Sequence, residues 1–223
     1  MLYPYINIHS HHSAKNEINI QNIDLPDYSE KNIQQPFSLG LHPWTIENFE
    51  ISEIKKILNT NLLKNTNLLF AIGETGMDKN INTPLSLQEE VFRIHISLAL
   101  ELKKPLILHC VRSFNEVQKI LREMNFSFPV IVHGFNNNSQ IAQSCIHLGY
   151  YLSFGPALLK EESNARKVLI EIPDNRFFLE TDAKEISIKQ IYNAAASVKN
   201  ISIDSLLKHQ NHNFELVFKN VSI

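Results

Sequence analysis

His9 and His11 stand one residue apart at the end of a short apolar segment, Tyr5-Ile6-Asn7-Ile8. In an extended strand, residues two apart share a face, so both imidazoles can converge on one point while Ile6 and Ile8 pack the opposite layer. Neutral imidazole is the commonest metal ligand in proteins, and two rings on one backbone make a pair of claws. Four further apolar runs of strand length also end on a residue able to bind a metal. Leu68–Gly73 runs into Glu74, Pro105–Leu108 into His109, Pro129–Val132 into His133 and Phe177–Thr181 into Asp182. Four histidines and two carboxylates exceed the donors one tetrahedral ion takes. They suit two adjacent divalent ions that share a carboxylate or a water.

The remaining histidines divide by position. His42 falls at the tip of the strand pattern Phe37–Leu41, where Pro43 stops the strand and site residues would sit. His12 follows His11 directly and points to the other face, so it reads as exposed or as touching the ligands from behind. His95, His147, His209 and His212 lie in helical patterns and read as packed or solvated helix residues.

The runs that deliver the ligands are continuous, bounded by Pro or Gly and too short for helices, which marks buried parallel strands. Helical patterns fill the intervals. One is Glu53–Leu63, with Ile54, Ile57, Leu58 and Leu62 inward, and a long one opens on the capping-box pair Ser86 and Glu89. Others are Phe114–Met124, a helix capped by Ser139 and closed by Gly149, Arg166–Ile170, Ser187–Val198 and Ser202–Lys219. This alternation implies an α/β protein with a parallel sheet, right-handed crossovers and helices outside, in the manner of a TIM-like (β/α) barrel. Sites in such barrels lie at the C-terminal strand ends, where the six ligand candidates fall. The polar, Asn-rich stretch from His12 to Pro36 offers only a candidate strand over Ile18–Ile23. The expected barrel is therefore distorted, with an abbreviated first or second strand–helix unit and no full helix over Ser13–Pro36.

A length of 223 residues suits one large domain across 1–223 rather than two. A net charge of −2 and a pI of about 6.5 give no overall basic surface, so contact with nucleic acid needs a local patch. The two cysteines, Cys110 and Cys145, have no metal-finger spacing and are too few for a disulfide framework, which fits a reducing compartment. There is no basic leader followed by an apolar run and no apolar stretch of about eighteen residues. The expectation is a cytoplasmic protein without a membrane segment or an obligate protein partner.

Several blocks, in order, carry a resemblance. Asn7-Ile8-His9-Ser10-His11, Gly40-Leu41-His42-Pro43, Gly73-Glu74-Thr75-Gly76-Met77-Asp78, the strand-end His109 and His133, Glu180-Thr181-Asp182-Ala183 and Asn213-Phe214 together resemble the TatD-type metal-dependent hydrolases, a branch of the amidohydrolase-like barrels. The resemblance runs from His9 to about Phe218. It implies one ion on His9, His11 and Asp182, a second on His109 and His133, and Glu74 between them. The ions would be Zn, Mn or Mg. A water between two cations loses its proton near neutral pH, with Asp182 placed to accept it and Glu74 the next candidate base. His42 and Arg112 are candidates for substrate phosphate, and Glu180 for a supporting or substrate contact.

Three departures accompany the resemblance. Asn7 stands where the family carries aspartate, Arg112 comes three residues after His109 rather than two, and only Ser10–Leu39 separates the first motif from the Gly-x-His-Pro turn. The resemblance implies a phosphodiesterase, specifically a deoxyribonuclease with DNA or another nucleic acid as substrate. The same bimetal chemistry would serve a small ester or amide, or an aminoacyl-tRNA. A metal-binding barrel that has lost catalysis and acts as a binding module is the alternative outside enzymes.

Overall fold

The computed structural model describes residues 3–28, 33–58 and 67–218. Among these residues there are eight strands and seven α-helices: β1 (Ile6–Ser10), β2 (Ile18–Asp24), β3 (Phe37–Gly40), α1 (Ile51–Leu58), β4 (Leu69–Asp78), α2 (Leu85–Leu102), β5 (Leu106–Val111), α3 (Phe114–Glu123), β6 (Val130–Val132), α4 (Ser139–His147), β7 (Tyr151–Phe154), α5 (Asn164–Glu171), β8 (Phe177–Leu179), α6 (Ile188–Lys199) and α7 (Ile203–Phe218). Strand order in the sheet follows chain order, from β1 to β8. Just past β8 the chain returns to β1: Ser10 bridges Asp182 in parallel, His11 N donates to Asp182 O at 3.1 Å, and Asp182 N donates to His9 O at 3.1 Å. This topology is the (β/α) barrel expected from the alternating pattern.

The described residues divide into two compact units, one formed by those up to 21 together with 131–218, the other by those within 22–130. In the first, Ile6, Ile8, Leu152, Phe154, Phe177 and Phe178 are fully buried, and the aromatic rings interlock. Phe154 meets Phe177 at 6.1 Å between centroids, and Tyr151 meets Phe178 at 5.3 Å. Helix α7 fixes the start of β8 by side-chain amides: Gln210 Nε2 and Asn213 Nδ2 each donate to Phe177 O at 3.0 Å. Gln210 and Asn213 thus secure β8 from the outer layer. In the second unit, β3, β4 and β5 pair in parallel and Val91, Phe92, Ile96 and Ala99 of α2 pack with the core. Gln88 ends β4: its Oε1 accepts from Asp78 N at 2.7 Å, and its Nε2 donates to Asp78 O at 3.1 Å and Thr83 O at 2.8 Å.

β1 and β2 are joined without a helix, and β2 leads into a single 3-10 turn, Leu25–Asp27, whose first amide bonds to Asp24. Among the described residues no α-helix lies between β1 and β3, as the weak periodicity of that stretch implies; residues 29–32 are outside the description. The second half of the helix expected over Glu53–Leu63 also lies outside it.

Some local expectations change. Helix α2 begins at Leu85 with Pro84 as its cap and no side-chain cap bond, because Pro84 O accepts from Leu87 N and Gln88 N and Ser86 is already inside the first turn. Asn138, not Ser139, caps α4, its Oδ1 accepting from Ile141 N at 3.0 Å. β4 does not end at Glu74 but continues to Asp78, with a register shift against β5 between Ile72 and Thr75.

Tyr192 of α6 makes a two-way bond to the first residue of β1, accepting from Ile6 N and donating to Ile6 O, each at 3.1 Å. Burial pushes its phenol well above the ordinary value, so the proton stays in place. Tyr192→Phe is expected to destabilise the fold by about 1–3 kcal/mol, read as a lower urea midpoint with an unchanged m-value.

Candidate functional site

In the first unit, alternation along β1 puts Asn7, His9 and His11 on one face. His9 is fully buried, whereas the His11 and Asp182 side chains are 39% and 38% exposed. His9 Nε2 lies 3.7 Å and His11 Nε2 3.5 Å from Asp182 Oδ1. His133, directly after β6, brings its ring to 4.5 Å from that of His9, and donor atoms of His9, His133 and Asp182 all lie within 4.8 Å of one another. Separations of 3.5 and 3.7 Å are too long for good hydrogen bonds. They are close to the edge of a ligand tetrahedron, about 3.4 Å for donors at about 2.1 Å from an ion. Imidazole nitrogens and a carboxylate at this spacing fit a divalent cation.

Asp182 owes its place to its neighbours. Its φ of 55° turns the chain beyond β8, and both of its backbone bonds go to β1. Asn7 holds the preceding residue by both ends of its amide, Oδ1 accepting from Thr181 N at 3.0 Å and Nδ2 donating to Thr181 Oγ1 at 2.9 Å. The same Nδ2 faces Glu17 Oε1 at 3.5 Å. At position 7, a neutral amide therefore serves as a two-way clamp with a carboxylate already beside it. Glu180 is fully buried, accepts from Gly134 N at 2.8 Å and lies 3.5 Å from His133 Nδ1. It braces the turn that carries His133.

In the second unit, His42, Glu74 and His109 form another compact donor group. Glu74 Oε1 lies 3.0 Å from His42 Nε2 and 2.7 Å from His109 Nδ1, and the two nitrogens are 3.2 Å apart. These distances bracket the edge of an octahedral face, about 3.0 Å for donors at about 2.1 Å. Two glycines make the approach possible. A Cβ on Gly76 would sit 1.9 Å from His109 O, and one on Gly40 2.4 Å from Glu74 O, so side chains there would force the strands apart beside the ligands. The Glu74 amide itself donates to Asn22 Oδ1 at 2.8 Å.

Asp78, quoted in the sequence only as part of a block, has a definite place here. Its Oδ2 lies 3.3 Å from His109 Nε2 and accepts from Trp44 Nε1 at 2.9 Å, while Oδ1 accepts from Asn80 N at 2.8 Å. Burial acts to raise its pKa, but the bonds from Trp44, Asn80 and His109 outweigh it and the net shift is downward. His109 thus stands between two carboxylates, Glu74 Oε1 at 2.7 Å from Nδ1 and Asp78 Oδ2 at 3.3 Å from Nε2, which fix the plane of its ring. The strand period could have found it, since Glu74, Gly76 and Asp78 share one face. His42 Nδ1 accepts from Trp44 N at 3.1 Å, so the neutral ring carries its proton on Nε2, toward Glu74. Arg112 is exposed immediately after β5, with φ 54°.

His95 is packed, as its helix position implies, but it also acts on this group. Its Nδ1 bonds to Val91 O at 2.8 Å, and its Nε2 accepts from Leu41 N at 3.0 Å, one residue before His42. Burial pushes the Cys110 thiol up to about 11, so it stays protonated at neutral pH.

A family model described as TatD related DNase matches residues 27–219. A protein of Bacillus subtilis named as the uncharacterized metal-dependent hydrolase YabD is 37% identical over 115 residues, covering 50% of this chain and 45% of that one. A protein of Yersinia pseudotuberculosis named as the 3'-5' ssDNA/RNA exonuclease TatD is 31% identical over 165 residues, covering 72% of this chain and 62% of that one. The matched stretch thus spans about half to three fifths of these relatives' length. The crystal structure of a TatD-family hydrolase from Entamoeba histolytica superposes with a TM-score of 0.80 at 17% identity, covering 98% of this chain and 99% of that one. At that identity the likeness speaks for the fold.

Burial lowers the His95 pKa from 6.5 to about 4, against a smaller opposing effect of the Val91 carbonyl. Between these values the unfolded chain binds a proton that the folded chain refuses, so stability falls as pH drops from about 6.5 to about 4 and the loss levels off below. The loss assignable to His95 is about 3 kcal/mol. His95→Gln removes the titrating group, and urea denaturation at pH 7, 5.5 and 4 should show this component absent from the variant.

Proposed function

The chain belongs to the TatD related DNase family, and from that premise we propose that it is a divalent-metal-dependent phosphodiesterase acting on nucleic acid as a deoxyribonuclease. The observation that carries this reading is the gathering of His9, His133 and Asp182, whose donor atoms lie within 4.8 Å of one another, with His11 3.5 Å from the same carboxylate. The name of the Yersinia relative, an exonuclease of single-stranded DNA and RNA, supports the substrate class.

The proposal assigns one ion to His9, His133 and Asp182, with His11 beside them, and one to Glu74 and His109. Divalent ions there would polarise phosphoryl oxygens and lower the pKa of the attacking water. Mixed imidazole and carboxylate donors bind Zn, Mn or Fe more tightly than Mg. Asp182 is half-exposed and can take a proton from water that the buried His9 cannot reach. Asn7, through Thr181, and the two backbone bonds to β1 keep that carboxylate from swinging away. His42 enters as a proton donor from Nε2, suited to Glu74 or to an anionic phosphoryl oxygen. Arg112 offers a guanidinium for a phosphate, and Glu180 supports His133 from the interior.

Elemental analysis of protein saturated with Zn or Mn and then desalted should give close to two ions per chain, and chelation should abolish turnover of single-stranded DNA. One ion per chain would mean that only one donor group is a site. Asp182→Asn keeps the shape and an oxygen donor but removes the proton acceptor, so metal content should hold while turnover falls about 10²–10⁴-fold. Full turnover in that variant would refute Asp182 as the base and make Glu74 the next residue to replace.

A further inference from the structure

We propose that Trp44 is a stacking seat for an unpaired nucleobase of the strand being cleaved, an inference that rests on the phosphodiesterase reading above. Trp44 is the sole tryptophan of the chain, and it is 64% exposed although it sits directly after the His42-Pro43 turn. A large apolar ring kept in water forgoes the stabilisation of burial. Nor is it loose. Its indole Nε1 donates to Asp78 Oδ2 at 2.9 Å, and its amide donates to His42 Nδ1 at 3.1 Å.

The indole meets the imidazoles of His42 and His109 at 4.8 and 6.2 Å between centroids, with interplanar angles of 81° and 78°. Both imidazoles are close to perpendicular to the indole, and neither lies flat on it. The polar edge of the ring is satisfied inside by a carboxylate, the plane is fixed, and the apolar surface is presented outward. Such an aromatic loses little conformational entropy when a flat partner stacks on it. The partner that suits both this plane and a neighbouring phosphate-cleaving group is a nucleobase, because every base offers a π-face whatever its identity. In a duplex those faces are already covered by neighbouring pairs, so the seat selects single strands. Asp78 holds both Trp44 and His109, placing the base one side chain away from the Glu74–His109 pair.

Because no other indole is present, tryptophan fluorescence reports Trp44 alone. The full chain supplied with Mn²⁺ is titrated with phosphorothioate-linked oligo(dT), oligo(U), the same backbone without bases, and a duplex of equal length. The two base-bearing single strands should quench the signal, the relative strength of dT and U showing whether DNA or RNA is preferred, while the abasic strand and the duplex should not. In cleavage assays on ordinary oligonucleotides, Trp44→Leu should raise KM by about 5- to 100-fold relative to Trp44→Phe, with little change in kcat. Both variants lack the bond to Asp78, so the comparison isolates the ring. Equal KM in the two variants, or equal quenching by the abasic strand, overturns the seat while leaving the phosphodiesterase reading intact. Base-dependent quenching with no metal-dependent cleavage of any strand keeps the seat and removes that reading instead.

Discussion

The parallel exchange between Asp182 and β1 is the contact on which the catalytic proposal depends. Two backbone bonds, Asp182 N to His9 O and His11 N to Asp182 O, continue the sheet from the end of β8 to β1. The same two bonds bring the Asp182 carboxylate to the imidazoles that flank Ser10. Structure and chemistry are therefore joined at one place: a residue with φ 55° ends the strand pairing and begins the site. Asn7 and Ser10 reinforce the contact from β1, the first through Thr181 N and Oγ1 and the second through Thr181 Oγ1.

Seen this way, the amide at position 7 is a substitution with a mechanical reading. Clamping Thr181 requires an acceptor for its N–H, which aspartate and asparagine both supply. The amide adds a donor, and with Glu17 Oε1 at 3.5 Å from Nδ2 that donor faces a carboxylate. Burial raises the Glu17 pKa, partly offset by Asn7 and Lys189, so a second carboxylate at position 7 would meet like charge in a partly desolvated place.

The second unit reaches its donor group by a different route. Here β3, β4 and β5 approach so closely that Gly40 and Gly76 have no room for a Cβ, and Glu74 and His109 are pressed into direct contact. Proton placement is then dictated by the surroundings. The Trp44 amide leaves neutral His42 with its proton on the nitrogen that faces Glu74, and His109 stands between the carboxylates of Glu74 and Asp78. His95 extends this control into α2, since the Leu41 amide it accepts from belongs to the turn that carries His42.

The sequence alone determined the parallel strand–helix alternation and the strand-end residues, because buried strands leave uninterrupted apolar runs whose last residue is conspicuous when it is polar. It also determined the missing helix after β1, since a segment rich in Asn without periodicity has no apolar face to bury, and the described part carries none. Which donors share a group was a matter for the tertiary structure: His133 joins His9 and Asp182, and His109 joins His42 and Glu74. Strand spacing says which face a residue takes but not which neighbouring strand it meets, and that depends on register, on the shift within β4 after Ile72 and on the room left by glycine. The parts played by His95 and Trp44 were hidden for the same reason. Each acts through a partner more than ten residues away, and such a hydrogen bond or ring contact leaves no periodic trace along the chain.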